Sequence, residues 1–194
     1  MITLENFKNV NDRSIGFYIS EIDRTDLKLI RDLIERHFKE LIIKNFSSKD
    51  VSFANYLKSC DQERHGLIFT KKNRVLPKNL FDIAHNNLKI FKNLKKIYPE
   101  FEITDEENLG FGNFYWRLVR PYPYKDVGPM HKDKWFWDLG SGKIDENKYR
   151  RNKLWISVIG DQELGFRFVK GSPNMDLNFK SEYRDGMKKP MFDE

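Results

Sequence analysis

The residues best suited to chemistry stand in the stretch GPMHKDKWFWDL, residues 128–139. His131 and Asp133 are two positions apart, and Trp135 and Trp137 continue the same spacing. In a β-strand, side chains two positions apart lie on one face of the sheet. If the stretch is a strand, an imidazole, a carboxylate and two indole rings therefore stand side by side.

A neutral imidazole and a carboxylate on one face can bind the same divalent metal ion. Non-haem iron(II) oxygenases use two histidines and one carboxylate, which leaves three positions of the octahedron for co-substrate and oxygen. The alternative is a hydrogen-bonded structural pair beside the core, because histidine-x-aspartate also arises by chance. The spacing of His131 and Asp133 leaves both interpretations open.

The elements that must position this pair fall into two parts of one domain. The chain has 194 residues, enough for one hydrophobic core, and residues 1–105 are expected to be mainly helical. We predict one helix from about residue 25, a short second helix around 53–60, and a third from about 77 to 98. The first helix has an apolar face and a cap at Asp23 or Thr25; the face is formed by Leu27, Ile30, Ile34, Leu41 and Ile42. The second has a cap at Ser47 or Ser48, and the third has Pro77 near its first turn.

Residues 106–194 are expected to form the β core. Short aromatic and branched runs predict strands at 112–121, 130–137, 153–160 and 165–171, with an additional one at 14–20. Alternation along two of these strands predicts a cavity lined by Tyr115, Arg117, Trp155 and Ser157. Helices followed by strands predict an α+β fold with helices on one face of a sheet.

Composition excludes several classes of function. The net charge is +6, but the lysines are interleaved with 29 acidic residues, so we expect no nucleic-acid partner. An anionic small molecule remains a compatible substrate. No apolar run is long enough for a membrane span, and we see no secretion signal. A single cysteine, Cys60, is consistent with the reducing cytosol, and we predict a cytoplasmic protein.

The order of these motifs resembles one enzyme family. The stretch RLVRPYPYKDVGPMHKDKWFWD, followed by LWISVIGDQELGFRFVKGSP, is similar to the phytanoyl-CoA dioxygenase-like branch of the iron(II)/2-oxoglutarate-dependent oxygenases. The similarity covers about residues 110–175. It lies in the histidine-x-aspartate, the following tryptophan (Trp155) and a turn at VKGSP, residues 169–173.

This resemblance implies a double-stranded β-helix, or jelly roll, with the N-terminal helices packed on its larger sheet. It implies that His131 and Asp133 bind Fe(II) and that 2-oxoglutarate is the co-substrate. Arg117, Tyr115 and Trp155 are the expected contacts for the co-substrate or the substrate. The implied reaction is hydroxylation of a small molecule, because the bound metal activates oxygen next to a C–H bond.

The sequence departs from the family pattern in its C-terminal part. No histidine follows Asp133, and Lys170 and Pro173 replace the proline and histidine of the family's turn. We expect residues 174–194 to end without a strand and the C-terminal strands of the jelly roll to be missing. Three explanations are open: a fragment, which we favour, a natural short variant without catalysis, or a second chain that supplies the missing strands and ligand.

We therefore predict an iron(II)- and 2-oxoglutarate-dependent dioxygenase. One alternative is a non-catalytic binding or assembly protein of the same fold that lacks a complete metal triad. Another is a cupin-type metal protein that acts without 2-oxoglutarate. The substrate and the oligomeric state are not encoded in any recognisable motif, because one fold supports many activities.

Overall fold

The computed structural model describes residues 16–46, 52–120, 124, 126–140, 148–149, 151–160, 166–184 and 187–193. Within these ranges, helices occupy the first half and a two-stranded antiparallel sheet lies near the C-terminus. The described residues therefore combine α and β elements. A jelly roll needs about eight strands, so the jelly-roll core stays a prediction.

The first helix, α1, spans Arg24–Phe46 and confirms the helix predicted there. Asp23 is its cap: one carboxylate oxygen accepts from the Thr25 N–H at 2.8 Å, and the Asp23 carbonyl accepts from the Leu27 N–H at 2.9 Å. The side chains that α1 buries most deeply repeat at helical spacing and form one wall of the core: Ile30, Leu33, Phe38 and Ile42.

Two short helices follow α1. Helix α2 (Phe53–Ser59) confirms the short helix predicted there, but its cap is Ser52. The predicted caps at 47 and 48 lie outside the described residues. Helix α3 (Gln62–Ile68) was not predicted. It is only two turns long and begins at a local signal, since the Asp61 carboxylate accepts from the Arg64 N–H at 2.7 Å.

The single helix predicted from 77 to 98 is wrong. Two helices occupy the region, α4 (Lys78–Asn87) and α5 (Lys89–Ile97), and Leu88 between them has extended backbone angles. The break is stabilised from α1, where the buried Asp26 carboxylate accepts from the Lys89 N–H at 3.0 Å and the Ile90 N–H at 2.9 Å. A side chain from another helix therefore caps α5.

The strand predicted at 112–121 is reduced to one antiparallel bridge between Val75 and Tyr115. Its hydrogen bonds run from the Trp116 N–H to the Arg74 carbonyl and from the Leu76 N–H to the Phe114 carbonyl, both at 2.9 Å. The bridge carries Trp116 into the core beside the helices.

The strand predicted at 130–137 is wrong, because Asp133–Asp138 form a short helix, α6. Trp135 is buried, and its indole stacks on Phe179 with ring centroids 5.0 Å apart. Trp135 thus packs this short helix against Phe179. His131 and Asp133 therefore do not share a strand face.

The expectation that residues 174–194 end without a strand is also wrong. Strands β1 (Phe179–Arg184) and β2 (Met187–Phe192) form an antiparallel hairpin in which Phe179 pairs with Phe192. The hairpin contacts α6, and the Phe192 N–H donates to the Met130 carbonyl at 2.9 Å. The last described residues therefore support the segment that carries His131.

The strands predicted at 153–160 and 165–171 are wrong for the described residues, 153–160 and 166–171, and residue 165 lies outside them. Buried and exposed side chains still alternate in residues 153–160, because Ile156 and Val158 pack against the core while Trp155 is exposed. For residues 14–20, the described part (16–20) is likewise not a strand, and 14 and 15 lie outside the described residues. In the described ranges no helix has both the length and the apolar content to cross a membrane.

Candidate metal site

His131 and Asp133 lie next to each other even though they are not on a strand. The His131 Nε2 atom is 3.7 Å from Asp133 Oδ1, and the two side chains are about one-third exposed (31% and 35%). This separation is too long for a hydrogen bond. Ligand atoms about 2.1 Å from one metal ion can be up to about 4.2 Å apart, so both atoms can reach a common cation.

A backbone carbonyl sets the orientation of the His131 ring. His131 Nδ1 lies 2.8 Å from the Pro129 carbonyl oxygen. A carbonyl can only accept, so Nδ1 carries the proton and a neutral His131 has its lone pair on Nε2. Histidines that bind metals are typically oriented in this way by a hydrogen bond from the other ring nitrogen.

Lys153 already neutralises the carboxylate of this pair. Its ammonium lies 2.6 Å from Asp133 Oδ2, on an oxygen different from the one that approaches His131. The nearby Arg151 also contacts α6, since its guanidinium lies 4.5 Å from the centre of the Trp137 ring. The segment 151–153 therefore packs along α6 and presents a cation to Asp133.

The turn that resembles the family motif lies beside this pair. Ser172–Asn174 form one turn of 3-10 helix, and the Lys132 ammonium donates to the Met175 carbonyl at 2.6 Å. Pro173 stands where the family has a histidine, and it lies so close to Gly16 that a Cβ there would be 2.6 Å from the proline ring. The turn is therefore near the site but contributes no imidazole.

His131 and Asp133 would supply at most two protein ligands to a metal ion. Within the described ranges, no third histidine, cysteine, aspartate or glutamate joins His131 and Asp133. The sequence has three other histidines, and each has its own surroundings: His37 bonds Trp116, His65 bonds Tyr56, and His85 stacks on Phe81. These residues alone do not complete the two-histidine, one-carboxylate triad.

The three predicted co-substrate contacts have other neighbours in the structure. The Tyr115 hydroxyl donates to Glu107 Oε1 at 2.7 Å. Burial is the larger cause that raises the pKa of Tyr115, and this hydrogen bond is the next. The Trp155 ring packs against Phe166 at 4.7 Å between centroids, and Arg117 is exposed. None of these contacts involves His131 or Asp133.

A buried polar network lies just before the candidate site, and no motif in the sequence predicts it. Arg120 and Asp126, with side chains 0% and 2% exposed, form a bidentate pair: Nε to Oδ2 is 2.8 Å and the second guanidinium nitrogen to Oδ1 is 2.9 Å. Arg120 also donates to the Cys60 and Asp61 carbonyls at 2.6 and 3.2 Å. Asp126, which resembles an ordinary loop charge in the sequence, is therefore the counter-ion of a buried arginine.

His65 completes this network. Its Nδ1 lies 2.9 Å from the Tyr56 hydroxyl, and its Nε2 lies 3.6 Å from Asp126 Oδ2. Burial lowers the pKa of His65, although the Asp126 charge opposes this effect. Burial alone would raise the pKa of Asp126, but hydrogen bonds from Arg120 outweigh it, and the pKa is lowered. The network thus combines a buried ion pair with a histidine whose pKa is lowered by burial.

His37 is a second buried histidine, although its charged neighbours in the sequence favour a surface or helix-flank role. Only 5% of the residue is exposed, and the Trp116 indole N–H donates to His37 Nδ1 at 2.9 Å. Burial lowers the pKa of His37 to about 4. The sequence did not predict that His37 is buried, because its charged neighbours lie on the exposed face of α1.

Comparison with known proteins returned nothing: no family model, no curated protein and no solved structure matches the chain.

Proposed function

We propose that this chain carries part of the active site of a cytoplasmic iron(II)- and 2-oxoglutarate-dependent dioxygenase that hydroxylates a small molecule. His131 and Asp133 would supply two of the three protein ligands. The second imidazole would come from polypeptide other than these 194 residues, because each remaining histidine is already engaged in the core or in a stack. When bound, the metal would gather co-substrate and oxygen next to the substrate.

One observation carries the proposal. His131 and Asp133 approach to 3.7 Å while a carbonyl fixes the His131 proton on Nδ1, which leaves a lone pair and a carboxylate oxygen near each other. A pair that is merely structural would normally close to a hydrogen bond of about 3 Å. The separation is too long for a shared proton and short enough for one cation to contact both atoms.

The remaining roles stay proposals drawn from the family resemblance. Arg117 is the candidate for a carboxylate of 2-oxoglutarate, because the residue is exposed and a guanidinium binds carboxylates in a bidentate way. Trp155 is exposed and could cover an apolar part of a substrate. Tyr115 would first have to release Glu107, to which its hydroxyl donates.

A second candidate is a non-catalytic binding or assembly protein of the same fold. The observation that favours it is the ion pair between Lys153 and Asp133 at 2.6 Å. An ammonium that neutralises the carboxylate permanently would leave no site for a dication. The two functions therefore differ in whether Asp133 binds a metal at all.

Cobalt(II) binding tests the proposed ligands without oxygen chemistry. The wild-type chain should bind one Co(II) with a d–d absorption spectrum, and His131→Ala or Asp133→Asn should each weaken binding about 10-fold or more, because each removes one of only two protein ligands. His85→Gln is the matched control, since His85 stacks on Phe81 and should leave binding unchanged.

Two further results decide between the functions. Binding of Co(II) that survives in the His131→Ala, Asp133→Asn double variant would contradict the ligand assignment. With Fe(II) added, 2-oxoglutarate should bind and produce a charge-transfer absorption that the double variant lacks. Metal binding without any response to 2-oxoglutarate would instead favour a metal protein that does not use this co-substrate.

A further inference from the structure

We propose that residues 153–160 join two copies of this chain in a symmetric dimer. In this dimer the segment of one copy lies antiparallel to the same segment of the other, and the two exchange backbone hydrogen bonds. The inference concerns the assembly of the protein, so it goes beyond the proposed function and does not rest on a bound metal. It is supported by the backbone, the sequence and the exposed surface of the segment.

The backbone of residues 153–160 is open to a partner. Within the described parts of the chain, its one hydrogen bond is accepted by the Val158 carbonyl from Arg31 Nε at 2.8 Å. Ile156 and Val158 pack against the core and the residues between and beside them are exposed, which is the alternation of an extended strand. The segment is therefore an edge to which another strand can add.

The contact with α1 shows which edge of the segment is open. In a strand, the N–H and the carbonyl of one residue point to the same edge, and successive residues alternate between the two edges. The Val158 carbonyl points to Arg31 on α1, so the backbone groups of Trp155 and Ser157 point to the opposite edge. A two-fold axis near Ser157 would bring these groups to the same groups of the second copy, because a two-fold interface pairs identical surfaces.

The sequence of the segment favours a second copy as the partner. LWISVI, residues 154–159, has no charge and no proline, so two copies can meet without like charges between them. Lysine and proline usually protect exposed strand edges, and β2, which reads MKKPMF, has both. Lys153 lies at one end, so antiparallel pairing keeps the two Lys153 Cα atoms roughly 25 Å apart, whereas parallel pairing would bring the like charges together.

The apolar surface around the segment is large enough for a weak dimer. The Trp155 ring contacts Phe166, which contacts Phe168, with ring centroids 4.7 and 6.0 Å apart. Six residues of this surface are each at least 41% exposed: Leu154, Trp155, Ile159, Phe166, Phe168 and Val169. Side chains of this size then expose roughly 80–100 Å² each, so two copies offer roughly 1,000 Å², near the lower limit of a specific interface. We therefore expect a dissociation constant in the micromolar range.

Sedimentation equilibrium over a wide range of protein concentration tests the dimer. The wild type should follow a monomer–dimer equilibrium in the micromolar range. Because each copy has a net charge of +6, sodium chloride should screen the repulsion and tighten the dimer. A chain that is still monomeric at sub-millimolar concentration, or that forms open-ended oligomers, overturns the inference. A dimer that salt dissociates also overturns it, because its contacts would then be ionic.

Proline at the open edge separates strand pairing from other contacts. Ser157→Pro removes an N–H that donates to no acceptor within the described residues, so the monomer should keep its fold, checked by circular dichroism. Dimerisation should weaken at least about 10-fold, because the two-fold axis doubles the loss of hydrogen bonds. Ser157→Ala keeps the N–H and should dimerise as the wild type does. Equal affinity in the proline and alanine variants overturns the inference.

Two exposed isoleucines provide a second matched pair. Ile159→Lys adds a charge to the segment at a residue that is 71% exposed, and Ile43→Lys adds the same charge on α1 at a residue that is 50% exposed. The first variant should dimerise at least about 10-fold more weakly than the second, since only Ile159 would lie in the interface. Equal weakening in both would assign the effect to net charge and overturn the inference.

Hydrogen exchange locates the interface. The amides of residues 153–160 should exchange severalfold more slowly at concentrations at which the dimer forms, and Ser157→Pro should abolish this protection. A dimer whose amides at 153–160 exchange as fast as those of the monomer overturns the inference, because another surface would then be the interface. None of these measurements involves His131 or Asp133, so a negative result would leave the proposed ligands unaffected.

Discussion

Replacing Asp126 by asparagine should destabilise the protein strongly. The variant keeps the size of the side chain but removes the negative charge from a bidentate pair whose members are at most 2% exposed. Removing one partner of a buried ion pair typically costs about 3–5 kcal/mol, because the other charge stays buried without compensation. We expect a loss in this range in the free energy of unfolding, measured by urea denaturation.

A double-mutant cycle separates this pair from other effects of the substitution. Arg120→Met alone should also be strongly destabilising, because it leaves the Asp126 carboxylate buried. The double variant should be about 2–3 kcal/mol more stable than the sum of the single losses predicts, since neither charge is then left alone. Additivity within about 0.5 kcal/mol would refute the claim that these two side chains stabilise each other.

The pH dependence of the coupling energy is a second test of the Arg120–Asp126 pair. The pKa of Asp126 is lowered in the folded state, so its contribution to stability is complete above the unfolded value of 3.8 and is lost as the pH falls through the folded value. The coupling energy should therefore shrink below about pH 4. A coupling energy that grows in acid would contradict a salt bridge.

Two other substitutions test the helical half. Asp26→Ala removes the acceptor of the buried Ile90 N–H and of the partly buried Lys89 N–H, and should cost about 2–4 kcal/mol in urea denaturation. Asp23→Ala, at an exposed cap, should cost less, and equal losses would contradict the capping of α5 by Asp26. Burial lowers the pKa of His37 to about 4, so its contribution to stability is complete above pH 6.5 and falls by up to about 3 kcal/mol as the pH drops to about 4. His37→Gln should reduce this loss of stability in acid. An unchanged dependence of the unfolding free energy on pH would exclude His37 as its source.

Local signals in the sequence were sufficient for the long helix. Apolar spacing and the Asp23 cap act within a few residues of each other, and α1 formed where they indicate. The break at Leu88 could not be found in this way, because its cause is Asp26, a residue more than sixty positions earlier. Apolar periodicity continues across the break, so the pattern alone favours a continuous helix.

The candidate site was predicted from the correct residues but with the wrong local structure. His131 and Asp133 are two positions apart, and Lys132 between them has extended backbone angles, so their proximity did not depend on a regular strand. Lys153 was missed because an exposed lysine has no motif, and only the packing of its segment on α6 reveals its partner. Contacts between distant segments are not encoded in local periodicity.

The guanidinium of Arg120 limits the length of the connection between α2 and α3, which is distant from it in the sequence. It reaches the Cys60 and Asp61 carbonyls and the Gln62 side chain, which together make up the junction between α2 and α3. Surface junctions usually tolerate inserted residues, but these acceptors must remain within reach of one planar group. The spacing of these two helices is thus governed by a side chain from the other half of the polypeptide.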